Sequence, residues 1–181
     1  MDDELTRYFN DHLAGSSGAL LLVEEIAATH DDPEACEFFR RLKQDIGKDR
    51  EVLEGLLKRI EKKPSVLLKA AGGVAARVGG LKLMWEKVKP GELGMFEALE
   101  MLALGIQGKR LLWVVMRDIQ PWFPEWADVD FSGLELEAIR QRDQVEEWRL
   151  SAARESLLSP ERMKECAPSA PAAESANPNR G

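Results

Sequence analysis

Six polar residues stand on or beside helical faces that are otherwise apolar: His12, Asp49, Glu97, Glu100, Gln107 and Gln141. An imidazole and three carboxylates are a mixed nitrogen and oxygen donor set of the kind that holds Zn, Mn or Fe. His12, Asp49, Glu97 and Glu100 are therefore the candidate metal ligands, with no other cofactor implied. The same groups support a second reading, a buried hydrogen-bonded network that fixes helix register, in which His12 pairs with Asp49 and Glu100 meets Lys109, an arginine or a tyrosine. A third use, proton transfer, needs one of them to titrate near neutrality. No nucleophile accompanies His12 or His30 in a recognisable motif. The pairs Gly72-Gly73 and Gly79-Gly80 are followed by no phosphate-loop lysine.

Positioning these groups falls to four long helical stretches. Residues 91–119, GELGMFEALEMLALGIQGKRLLWVVMRDI, are the organising element. Leu93, Phe96, Glu100, Leu104, Gln107, Leu111 and Val114 recur at steps of three and four, and Ala103, Ile106, Leu112, Trp113 and Val115 flank them. This predicts a central helix with a wide buried sector. Gly105 and Gly108 each cost about 1 kcal/mol relative to alanine and mark a place of close approach or a local bend. Residues 3–30 predict a first helix, with Leu5, Tyr8, His12, Ser16, Ala19, Val23 and Ile26 on one face and Phe9, Leu13 and Leu20 beside them. Asp31, Asp32 and Pro33 supply a turn and a helix start. Residues 33–62 then carry the clearest pattern, Phe39, Leu42, Ile46, Asp49, Leu53, Leu56 and Ile60, spaced like a coiled-coil seam.

Residues 62–92 read as a packed crossover with a short helix of its own, about Val66 to Val78, whose stability its two glycine pairs limit, ended by Pro90-Gly91. Its Lys69, Arg77, Lys82, Lys87 and Lys89 suit either a solvated face or a surface for an acidic partner. Residues 120–130, QPWFPEWADVD, must leave the helix and place aromatic rings at one end of the bundle. Asp130 or Ser132 caps a last helix over residues 133–158 whose inward face is Leu134, Ala138, Gln141, Val145, Trp148 and Ala152. From residue 159 the Pro/Ala/Ser-rich composition predicts a disordered tail, so residues 1–158 form the domain and 159–181 the tail.

The fold expected is all-α: an antiparallel four-helix bundle of two helical hairpins, with a helical crossover between helices 2 and 3. Three segments, YFNDHLAGSSGALLLVEEI, LLKAAGGVAARVGGLKL and GELGMFEALEMLALGIQGKRLLW, resemble a group of uncharacterised bacterial proteins with the ferritin-like bundle, over roughly residues 5–158. The resemblance implies the fold and carries no activity. Ferritin-like metal proteins use a Glu-x-x-His pair on each of two helices. Here the only histidines are His12 and His30, both in the first helix, and neither completes that motif.

A formal net charge of -7 argues against a general nucleic-acid or anionic-membrane binder. The acidic start MDDELTRYFND lacks the features of a signal peptide, and no apolar run reaches the roughly 18 residues of a membrane span. Cys36 and Cys166 lie far apart and suggest no disulfide framework, which fits a cytoplasmic protein. The function expected is a non-enzymatic structural or protein-interaction module, acting on an unknown partner or by self-association. The alternatives are a mononuclear or degenerate di-metal protein of redox or storage type, and a small-molecule binder using a cavity beneath Gly105, Gly108 and the small residues of the first helix.

Overall fold

Local side-chain chemistry sets the ends of the helices. In the computed structural model, which describes residues 3–60 and 88–165, α1 spans Asp3–Thr29 and α2 spans Pro33–Ile60. In the turn between them Asp32 Oδ1 accepts the Glu34 N–H at 2.8 Å, and Pro33 occupies the first helical position. His30 Nδ1 accepts the Asp32 N–H at 3.2 Å, so this histidine serves the turn. Gly91, at φ 75°, leads into α3, Leu93–Ile119. Two 3-10 turns, Gln120–Trp122 and Pro124–Trp126, follow. Asp130 then accepts the Gly133 N–H at 2.9 Å and caps α4, Phe131–Leu157. A short α5, Pro160–Glu165, occupies the start of the stretch where composition predicts a tail. Ser159 Oγ accepts the Arg162 N–H and Pro160 opens the turn, a local start signal that outweighs composition. Among the described residues every regular element is helical, and no helix is long and apolar enough to cross a membrane.

α1 packs on α2, α3 on α4, and α1 meets α3 along part of its length. Along each pair the partners follow in opposing order. Arg50 reaches Leu13 while Lys43 reaches Glu24; Arg142 reaches Gln107 while Arg149 reaches Glu100. The seam of α2 is buried as its spacing predicts, from Phe39 through Ile60, with Asp49 the one polar member. α4 buries Ala138, Gln141, Val145 and Ala152 as expected, while Leu134 and Trp148 pack on the core partly exposed. The 120–130 segment does close one end of the core. Trp126 is fully buried, stacked on Phe123 at 4.1 Å and close to Phe9 and Phe131.

Two faces differ from expectation. α3 buries Met95, Ala98, Leu99, Leu102, Ile106 and Trp113, among others, whereas Leu93, Leu104 and Leu111 of the anticipated stripe are exposed, Leu104 by 65%. α3 is apolar over most of its circumference, so periodicity alone does not select the face that the neighbouring helices cover. On α1, Val23 and Ile26 are buried as expected and the flanking Phe9 and Leu13 are buried with Leu22, while the anticipated Tyr8, His12, Ser16 and Ala19 lie one step round the helix. The crossover expected at 62–92 falls almost entirely outside the described residues, as do Cys166 and the tail beyond residue 165.

Candidate functional site: a small-residue cleft over a buried ion pair

The displaced face of α1 lines a cleft of about 440 Å3 between α1, α2 and α3. From α1 come Tyr8, Asp11, His12, Gly15, Ser16 and Ala19. From α2 come Ile46, Asp49, Arg50 and Leu53. From α3 come Gly105, Ile106, Gly108, Lys109, Leu112 and Trp113. The space follows from side-chain size. A Cβ placed on Gly15, Gly105 or Gly108 would meet nothing within 4 Å, so α1 and α3 stand apart where their residues are smallest.

The polar floor is built by three helices. Lys109 of α3 donates to Asp49 Oδ2 of α2 and to Gln141 Oε1 of α4. Asp49 is 8% exposed and Gln141 2%, so this bridge is almost wholly desolvated, and each charge needs the other. Beside it, Arg50 Nη1 donates to the Leu13 carbonyl at 2.7 Å and to the Ser16 and Ser17 hydroxyls at 2.8 Å, while its Nε pairs with Glu54. Arg50 thereby pins the small-residue segment of α1 to α2. At the mouth, His12 makes an edge contact with the Tyr8 ring at 4.7 Å. Burial pushes the His12 imidazole below its ordinary 6.5, partly opposed by neighbouring Asp11, and burial raises the Tyr8 hydroxyl.

Of the four anticipated ligands, the fold brings two together and leaves two elsewhere. His12 and Asp49 line the same cleft, but Asp49 takes its hydrogen bond from Lys109. Glu100 is half-buried and accepts from Arg149 at 3.0 Å, an arginine being one of the partners foreseen for it. Glu97 is exposed. Among the described residues no group of three or more His, Cys, Asp or Glu side chains is arranged to hold a metal ion. Gln107 accepts from Arg142 at 2.9 Å on the opposite flank of α3.

Sequence reasoning offered Lys109 as a partner for Glu100 and missed that it completes the floor with Asp49 and Gln141. Lys109 is the first charge after a run of eight uncharged residues in α3, and Trp113 stands one turn beyond it on the same face. That spacing was the available signal. It also missed Glu135, which accepts from both Arg110 and Arg117 between α3 and α4. Burial would raise this carboxyl, but the two guanidinium groups outweigh it and hold the group below its ordinary 4.5. No protein family matches the chain, no curated protein matches its sequence, and no solved structure matches it.

Proposed function

We propose that this chain is a non-enzymatic interaction module, built as a ferritin-like antiparallel bundle of two helical hairpins, and that the interaction it performs is binding in the α1/α2/α3 cleft. The opposing order of contacts along α1/α2 and α3/α4 supports the antiparallel arrangement. The observation that carries the function is the cleft itself, kept open by glycines at helix positions where alanine would fit and would stabilise the helix. Open space retained at a cost in stability is what a binding site requires. A non-enzymatic role follows from the engagement of the interior carboxylates: Asp49, Glu100 and Glu135 each face a lysine or arginine.

One observation favours the metal-binding alternative, the presence of His12 and Asp49 in one cleft. Binding of Fe, Mn or Zn there would have to displace Lys109 from Asp49 and would leave Glu97 and Glu100 outside the site.

The test of the proposal is a thermal-shift screen of the full chain with small apolar compounds and separately with Fe, Mn and Zn salts, repeated on Gly108→Leu. Compounds that raise Tm in the native protein and fail to do so in Gly108→Leu support binding in the cleft. A screen with no stabilising compound, or with shifts that survive the filled cleft, overturns it. Stabilisation by metal alone, lost in Asp49→Asn, establishes the alternative instead.

A further inference from the structure

We infer that residues 61–87, which join α2 to α3, pack along the outer face of α1 on the line Ala14, Gly18 and Leu22 and run the length of the bundle. This face is not the cleft, and the inference stands apart from the cleft reading. It begins from burial without a described neighbour. Ala14 is 7% exposed, Leu22 3%, and Gly18 is buried. The three recur at steps of four and so form one line on the helix. At about 100° per residue, that line stands about 120° round α1 from Leu13, Ser17 and Glu24, which bond Arg50 and Lys43 of α2. It stands about 100° in the other direction from Tyr8, His12 and Ala19, which line the cleft towards α3. α2 and α3 are the helices on which α1 packs. A buried side chain touches residues of neighbouring elements, so a part of the chain outside the described residues must cover this line.

The points where residues 61–87 leave and rejoin the bundle favour them as the cover. α2 stops beside the turns that follow α3: Arg59 Nη1 donates to the Glu125 carbonyl at 2.8 Å and to Asp128 Oδ1 at 2.6 Å. α3 starts at the opposite end, a helix of 27 residues or about 40 Å away. The connection therefore traverses the whole bundle, and its 27 residues reach that far even at the helical rise of about 1.5 Å per residue. Residues beyond 165 follow α4 instead, and α4 packs on α3 rather than on α1. Composition matches the face. Val66, Leu67, Leu68, Val74 and Val78 are apolar surface that needs cover, and the Gly72-Gly73 and Gly79-Gly80 pairs suit close approach to Ala14 and Gly18. Six lysines and arginines against two glutamates make the stretch basic, while the carboxylates of Asp11 and Glu25 flank the line on α1.

The experiment is zero-length carbodiimide cross-linking of the full native chain, with the linked peptides of the monomer identified by mass spectrometry. Lys69, Lys82 and Lys87 should link to carboxylates of α1, Asp11 and Glu25 foremost, in preference to Glu97 and Asp118 of α3 or Glu147 of α4. A companion measurement is thermal unfolding of two leucine variants. Gly18→Leu forces a side chain into a covered line and should lower Tm by about 4–8 °C. Gly15→Leu, at a position where a Cβ meets nothing within 4 Å, should raise Tm. Links from these lysines to α3 or α4 carboxylates alone, links to α1 found only in a cross-linked dimer, or no link to α1 at all overturn the placement. A Tm that does not fall in Gly18→Leu also overturns it, since the line is then open. Links from Lys164 to α1 without any from residues 61–87 assign the cover to the C-terminal stretch and overturn it too.

Discussion

Replacing Gly105 and Gly108 with alanine should make the protein more stable. Both lie inside α3, and a Cβ at either position reaches no atom within 4 Å, so the substitution adds no clash. Alanine is favoured over glycine in a helix interior by about 1 kcal/mol, partly because the unfolded chain loses freedom. The double variant should therefore gain about 2 kcal/mol. For a chain of this size that corresponds to a Tm rise of about 4–8 °C. Gly133 is the internal control. Its Cβ would stand 2.6 Å from Asp130 Oδ2, the carboxylate that caps α4, and moving that carboxylate forfeits a cap of about 1 kcal/mol. Gly133→Ala should therefore gain nothing and lose up to about 1 kcal/mol. Urea unfolding followed at 222 nm, with m-values compared, measures all three. Destabilisation by Gly105→Ala or Gly108→Ala would show that their Cβ positions are filled in the folded protein, and the open cleft with everything argued from it would fall.

The buried bridge gives a second test. Lys109→Met leaves Asp49 desolvated without its cation and should cost about 3 kcal/mol, most of which Asp49→Leu in the same chain restores; additive losses in the double variant would contradict the bridge. Trp126, with no exposed surface, should cost about 3–5 kcal/mol when cut to alanine, against under about 0.5 kcal/mol for Trp122, which is 74% exposed. Equal unfolding midpoints for the two variants would remove Trp126 from the core. The acid limb of stability should depend on Glu135. Its folded carboxyl sits below the ordinary 4.5, so the unfolded chain takes up the proton first as pH falls. The stabilisation is complete above about pH 4.5 and is lost as pH drops from there through the folded value. Urea midpoints between pH 7 and 3 should decline less steeply in Glu135→Gln than in the native chain, and parallel curves would rule Glu135 out as a source.

The sequence by itself determined the helices and most of their ends, because these are local. Asp32 with Pro33, Gly91 and Asp130 act within a few residues of the backbone they direct, and each is visible as a residue type in a short context. It also determined the buried face of α2, where a narrow apolar line separates two charged flanks and leaves one orientation favourable. Only the tertiary structure decided which face of α3 turns inward. A helix apolar nearly all round buries comparable area in several orientations, and the choice falls to its neighbours. The site inherits that indeterminacy. Asp49 and Gln141 were legible as polar residues on apolar faces, yet the cation between them was not, since Lys109 lies 60 residues from one and 32 from the other. His12 and Asp49 were foreseen within reach of each other, and they do share a cleft. That Asp49 turns to Lys109, and that three glycines hold empty space above the pair, depends on how far apart two helices settle, a distance set by packing across the bundle and written in no single stretch of chain.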